Sequence, residues 1–178
     1  MRYALLCLCI AAALSPAARA EDKAAPSSAA RCPAALPPPV VARQQAILAA
    51  ARARDYAGLR KQVTKPQRFT SSFGEATDPL VEWNKIRQRG IDLAAIMAAI
   101  FAMPCTIDTV EGTTIYTWPS AADLEWAALN AEERTALQKL YGTELDTYWL
   151  EGRDKGYYVG WRGTIEADGT WTVFVVGD

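Results

Sequence analysis

Apolar and polar positions along this chain fall into two regimes, a helical one in front and a strand-like one behind. From Val40 onward Val41, Leu48, Tyr56, Leu59 and Val63 fall roughly on one helical face, with Arg43, Arg52, Arg60 and Lys61 elsewhere. Asp55 is placed to cap a second short helix, so the stretch reads as a bent helix pair that ends at Lys65-Pro66. Asp78-Pro79 opens another helix, with proline at its first position, which runs to Arg89 and stops at Gly90. Ile91 to Ala102 is helical again. Its Leu93, Ile96, Met97, Ile100 and Phe101 leave little polar surface, which predicts a helix inside the core, stopped by Pro104.

The strand-like regime follows. Thr113 to Trp118 has the β-branched and aromatic content of a strand, closed by Pro119. Tyr157, Val159, Trp161 and Ile165 alternate along one face, and Thr170 to Val176 is nearly all β-forming. Ala167-Asp168-Gly169 has hairpin-turn chemistry, with Gly169 suited to positive φ, so 156–176 reads as a hairpin. A lone hairpin is marginal in water, and 113–118 is expected to extend the same antiparallel sheet. Arg68 to Gly74 reads as a strand or an extended loop. Between the strands, Ser120-x-x-Asp123, Asn130-x-x-Glu133 and Thr143-x-x-Asp146 each set an oxygen cap before an acid. They predict short helices at 121–128, 131–141 and 144–150, with Gly142 and Gly152 as helix ends. With no βαβ rhythm, the fold class is α+β: helices in the N-terminal and central parts packed on a small C-terminal antiparallel sheet.

The N-terminus changes the picture of where this domain works. Arg2, the apolar run Tyr3 to Leu14, and Ala18-Arg19-Ala20 have the layout of a cleaved signal peptide over residues 1–20. Residues 21–39 read as an Ala/Pro-rich leader and 40–178 as a single α+β domain. The expected location is periplasmic or secreted. No later apolar run reaches the length of a membrane span, and Ile91 to Met103 is interrupted by Asp92. Loss of Arg2 and Arg19 takes the net charge from −1 to −3, and no basic stripe of a nucleic-acid binder is present. Cys7 and Cys9 leave with the signal peptide. Cys32 and Cys105 remain, and in an oxidising compartment the pair reads most simply as a disulfide, against two buried thiols or a redox pair.

Candidate chemistry is sparse. The chain has no histidine, so the usual base near neutral pH and the commonest metal ligand are absent, and neither a metal site nor a cofactor is expected. Neither G-x-S-x-G nor S-x-x-K occurs, and no Gly-rich phosphate loop is present. A carboxylate pair can cleave a glycosidic bond without histidine. Glu75, Glu111, Glu151 and Glu166 lie at expected loops or strand ends, although nothing in the sequence pairs any two of them. The aromatic supply points elsewhere. Six tryptophans exceed what a modest core needs, and aromatic rings with a polar edge favour binding surfaces. Trp118, Tyr157, Tyr158 and Trp161 form the candidate aromatic surface near the C-terminal hairpin, with Arg162 as an orienting polar contact.

The chain resembles an uncharacterised family of secreted proteins from alphaproteobacteria. The resemblance rests on Phe69-x-x-Ser72-Phe73-Gly74, on Tyr116-x-Trp118-Pro119, and on Gly160-Trp161-Arg162 followed by Ile165-x-x-Asp168-Gly169-x-Trp171-x-x-Phe174-x-x-Gly177-Asp178. It implies location and domain integrity, and no activity. Ala50 to Val63 is also similar to the opening helices of cone-shaped, ligand-holding α+β domains of the NTF2 type, whose long run of strands this sequence lacks. The expected function is non-enzymatic binding of an envelope protein or cell-wall polymer. The alternative is a carboxylate-dependent hydrolase acting on envelope glycans.

Overall fold

Prolines start the first helix as well as preceding it. In a computed structural model, which describes residues 29–71, 78–153 and 156–177, the two-residue β1 (Ala30–Arg31) leads to α1 (Pro38–Arg52), whose first turn needs no proline N–H. The expected signal peptide and the leader up to Ser28 lie outside the described residues, as do Ser72, Phe73, Gly74 and Glu75. α2 (Tyr56–Gln62) follows a bend at Arg54 (φ 52°), where the Asp55 carboxylate accepts from Gly58 N at 2.8 Å. α3 (Pro79–Gln88) and α4 (Leu93–Phe101) are capped by Asp78 and Asp92. The buried stripe of α1 is Val40, Ile47 and Ala51, one residue round from the expected face, and Gln44 on that side donates to the Phe101 carbonyl at 2.7 Å.

The sheet holds β2 (Thr106–Val110), β3 (Thr113–Trp118), β6 (Arg162–Glu166) and β7 (Trp171–Val175), with strand order β1-β2-β3-β6-β7 and every pairing antiparallel. The fold is therefore α+β, and strand 113–118 pairs with the C-terminal hairpin as expected. Alternation gives the sheet two faces. Tyr116, Trp118, Ile165 and Phe174 lie towards the helices in one core with Phe101 of α4 and Ile47 of α1. On the other face Thr106, Thr117 and Thr164 stand side by side in register, all buried. Gly163 admits the Phe101 ring against the sheet, since a Cβ there would come within 2.5 Å of it.

Three expectations are corrected. Residues 121–128 form two 3₁₀ turns, Ser120–Ala122 and Trp126–Ala128, because the side chains meant to cap a helix are used elsewhere. Ser120 Oγ donates to Glu133, and Asp123 accepts from Thr106 on the sheet. Residues 142–148 are 3₁₀, and Trp149–Leu150 then form β4. β4 pairs with β5 (Tyr157–Tyr158) in a separate two-stranded ribbon, so the 156–160 part of the expected hairpin belongs to another sheet. Of the Arg68–Gly74 segment, Arg68 ends a 3₁₀ turn, Phe69 is extended and buried, and Thr70 bridges β7 in parallel, in keeping with the extended reading; residues 72–74 lie outside the described residues. The helix at 131–141 forms as expected as α5 (Ala131–Tyr141), with a complete capping box between Asn130 and Glu133. It covers a second core around Leu129, Leu137, Leu145 and Trp149.

Cys32 and Cys105 are bonded, with Cα atoms 5.4 Å apart. The bond holds the chain after β1 to the residue just before β2, beside the main-chain bond from Cys32 N to Cys105 O. Next to it, Arg31 pairs with Glu133 and donates to the Ala128 carbonyl at 2.7 Å. Glu133 is 2% exposed. Burial opposes its charge, but Arg31, Ser120 and the Asn130 N–H together hold its carboxyl below the usual range. Among the described residues no helix is long and apolar enough to cross a membrane.

Candidate functional site

The expected aromatic surface does not form, because packing takes three of its four rings. Trp118 is 1% exposed and lies 5.5 Å from Phe101 on the helix-facing side of β3. Trp161 stacks on Phe174 at 5.3 Å. Tyr158 belongs to a buried ring of hydrogen bonds: its hydroxyl donates to the Trp161 carbonyl, Trp161 N–H donates to the Tyr141 hydroxyl, and Tyr141 is left to donate to Tyr158. Burial pushes the Tyr141 hydroxyl up to about 12 and raises Tyr158 as well. Only Tyr157 of the four is exposed, at 54%. Arg162 is half-buried and donates to the Gly177 carbonyl at 2.8 Å, so it anchors the end of the chain.

The candidate carboxylates do not converge either. Glu111 and Glu151 are exposed on positive-φ turns, and Glu75 lies outside the described residues. Glu166 is buried and pairs with Arg68. A different acid is perturbed. Burial raises the Asp123 carboxyl, and Asp108 nearby adds to this, while the Thr106 hydroxyl and Arg162 act in the opposite direction. Among the described residues no group of three Cys, Asp or Glu is placed to hold a metal.

Rings and charge do meet on the outer side of α5. The 3₁₀ turn at 126–128 sets Trp126 half-exposed, edge-on to Trp149 at 5.6 Å, and Leu129 then turns inward before Asn130 starts the helix. The guanidiniums of Arg134 and Arg153 lie 5.4 and 4.9 Å from the Trp126 ring centroid. Arg134 comes from the first turns of α5 and is fixed by a bond to the Ala127 carbonyl. Arg153 comes from the loop after β4 and pairs with exposed Asp146 at 2.6 Å. Together with Thr135, Gln138 and Lys139 they line a trough of about 470 Å³. Three cations against one paired acid make it electropositive, in a chain whose net charge is negative.

A second cavity lies along the neighbouring flank of α5. Its walls are Ala99, Ala102, Met103 and Pro104 from the end of α4 and Ala136 and Leu140 from α5, and its volume is about 340 Å³. Alanines at three facing positions leave the space that larger side chains would fill. Glu132 and Lys139 stand at its rim, and Lys139 also borders the Trp126 trough. Residues 132, 136 and 140 line one side of the helix and 134, 135 and 138 the next, so Lys139 is the ridge between them.

The helical part of this site had a signal in the sequence: Arg134/Gln138 and Thr135/Lys139 are i,i+4 pairs on an outward stripe of a well-capped helix. The meeting of Trp126 and Arg153 had none, because their contact is made by tertiary folding across 27 positions of chain. Comparison with protein-family models, with curated proteins and with solved structures finds no match.

Proposed function

We propose that this chain is a non-enzymatic binding domain that works outside the cytoplasm, in the periplasm or secreted, and takes an anionic partner of the cell envelope on the Trp126 trough. The observation that carries the reading is the placement of two guanidiniums over one half-exposed tryptophan, with a third cation at the rim. Arg and Trp are the residues that dominate binding hot spots, and a ring-backed guanidinium is held ready for a carboxylate, phosphate or sulfate. The disulfide and the signal-peptide layout of residues 1–20 support the location, as does the resemblance to secreted alphaproteobacterial proteins.

Co-sedimentation with washed envelope fragments tests this. Wild type should pellet at low salt and be released by about 0.5 M salt, where charge attraction is screened beyond roughly 4 Å. The Arg134→Ala/Arg153→Ala double variant should stay in solution while keeping its circular dichroism spectrum. Equal pelleting of both proteins would exclude the trough as the contact.

The alternative, a carboxylate-dependent hydrolase acting on envelope glycans, has one observation in its favour: Asp123 is raised by burial beside Asp108, the asymmetry that separates an acid from a carboxylate base. Turbidity of purified peptidoglycan decides between the readings. Clearing by wild type but not by Asp123→Asn would favour the hydrolase. The binding reading expects no clearing by either.

A further inference from the structure

Two cavities of complementary chemistry share one wall residue, and this juxtaposition carries an inference that rests on the anion-binding reading above and deepens it. We infer that the partner is an anionic amphiphile with a single acyl tail: its headgroup lies in the Trp126 trough and its tail crosses the Lys139 ridge into the groove between α4 and α5. The groove is lined by alanines, a methionine, a proline and a leucine, and by no hydrogen-bonding side chain apart from its rim residues Glu132 and Lys139. A sugar or a peptide backbone would find few partners there, whereas a hydrocarbon chain loses nothing by entering. At about 340 Å³ it lies near the lower end of ligand-site volumes, roughly 300 Å³ upward, which suits one tail and not two.

Charge complementarity fixes the other end of the ligand. Arg134 and Arg153 are pinned by the Trp126 ring, and Lys139 stands between headgroup and tail, its aliphatic stem available to the groove and its ammonium to the anion. Thr135 and Gln138 add polar side chains on the trough side. Glu132 also lines the groove, and its carboxylate disfavours an anionic headgroup lodging there. The two cavities therefore define a polarity as well as a chemistry. The committed source is a lysophospholipid with an anionic headgroup.

Calorimetric titration of the full mature chain, below micelle-forming concentrations, compares three probes: lysophosphatidylglycerol with a short tail, lysophosphatidylcholine with the same tail, and glycerol phosphate. The anionic lysolipid should bind at least about tenfold more tightly than each of the other two, since tail and charge each contribute. Ala136→Gln, which puts a polar side chain into the groove on a good helix former, should abolish the gain from the tail and leave glycerol phosphate binding unchanged. Ala102→Gln, at an exposed position on the opposite wall, is the second variant should the first lose helicity. Arg134→Ala/Arg153→Ala should weaken both anionic probes.

The failures are distinguishable. Glycerol phosphate binding with no gain from the tail, or a gain that survives both groove variants, overturns the amphiphile and leaves the anion site standing. Equal affinity for the zwitterionic and anionic lysolipids overturns the headgroup assignment. Binding of none of the three removes this inference and the anion-site reading together. Concentration-dependent dimerisation that Ala136→Gln abolishes would make a second copy of the chain the occupant, and would overturn the proposal too.

Discussion

At Gly169 two constraints coincide in one residue. Its φ is +83°, and a Cβ built there would lie 2.8 Å from the Pro39 carbonyl oxygen, at the start of α1. The hairpin turn is thus pressed against the first helix, and Arg43 Nε bonds the Gly169 carbonyl at 2.8 Å from the same helix. Gly169→Val is expected to destabilise the fold by about 2 kcal/mol or more, from the left-handed backbone and the clash together. An unchanged urea midpoint would refute that. The turn was readable from Ala-Asp-Gly alone, but the contact with Pro39 was not, because it joins positions at opposite ends of the domain. The Tyr141–Tyr158–Trp161 ring makes a second prediction at this scale. Tyr141 ionises at about 12 in the fold against 10.0 in the unfolded chain. Its contribution is therefore complete below the unfolded value and is lost as pH rises from 10 toward 12. The loss should approach about 1.4 kcal/mol per pH unit for this group. Urea melts of wild type and Tyr141→Phe should show a shallower alkaline decline in the variant.

Elements with local boundary signals were legible, and those defined by partners were not. α3, α4 and α5 begin at Asp78, Asp92 and Asn130, each with a short side chain that caps its own helix. β2 went unseen because its hairpin turns on Glu111-Gly112, both at positive φ, where an Asn-Gly or Asp-Gly pair would have announced the turn. The aromatic surface failed for a related reason. Alternation says that Tyr116 and Trp118 share a face, but it cannot say that α4 lies across that face. α5 offers the test at this scale. Asn130→Ala should cost about 1 kcal/mol as a lost cap. Glu133→Ala should cost more, about 2 kcal/mol, because it also leaves the buried Ser120 hydroxyl without its acceptor and the Arg31 guanidinium without its charge partner. A double variant no worse than Glu133→Ala alone would show that the two act as one unit.

For the molecule as a whole, the disulfide is the covalent restraint on the described fold. It spans 73 positions, and replacing Cys32 and Cys105 by serine should lower stability by about 4 kcal/mol, chiefly by freeing the unfolded chain. Thermal melts with and without reductant check this, and wild type in reductant should match the double serine variant. That pairing was legible from the expected compartment and parity; the proposed binding surface was not, since it depends on where Arg153 arrives.

The sheet's outer margins carry a consequence of their own. Among the described residues, Ala30 and Arg31 cover β2 opposite Thr106 and Ile107, and the lone bridge at Thr70 covers β7. These short pieces close hydrogen-bonding rows that would otherwise template another strand. Reduction releases the anchor of the first piece and opens the β2 margin, flanked by β-branched residues. The reduced chain, held at high concentration, should therefore bind thioflavin T and form fibrils while the oxidised chain stays clear. The crosslink that stabilises one molecule also keeps neighbouring molecules from joining its sheet.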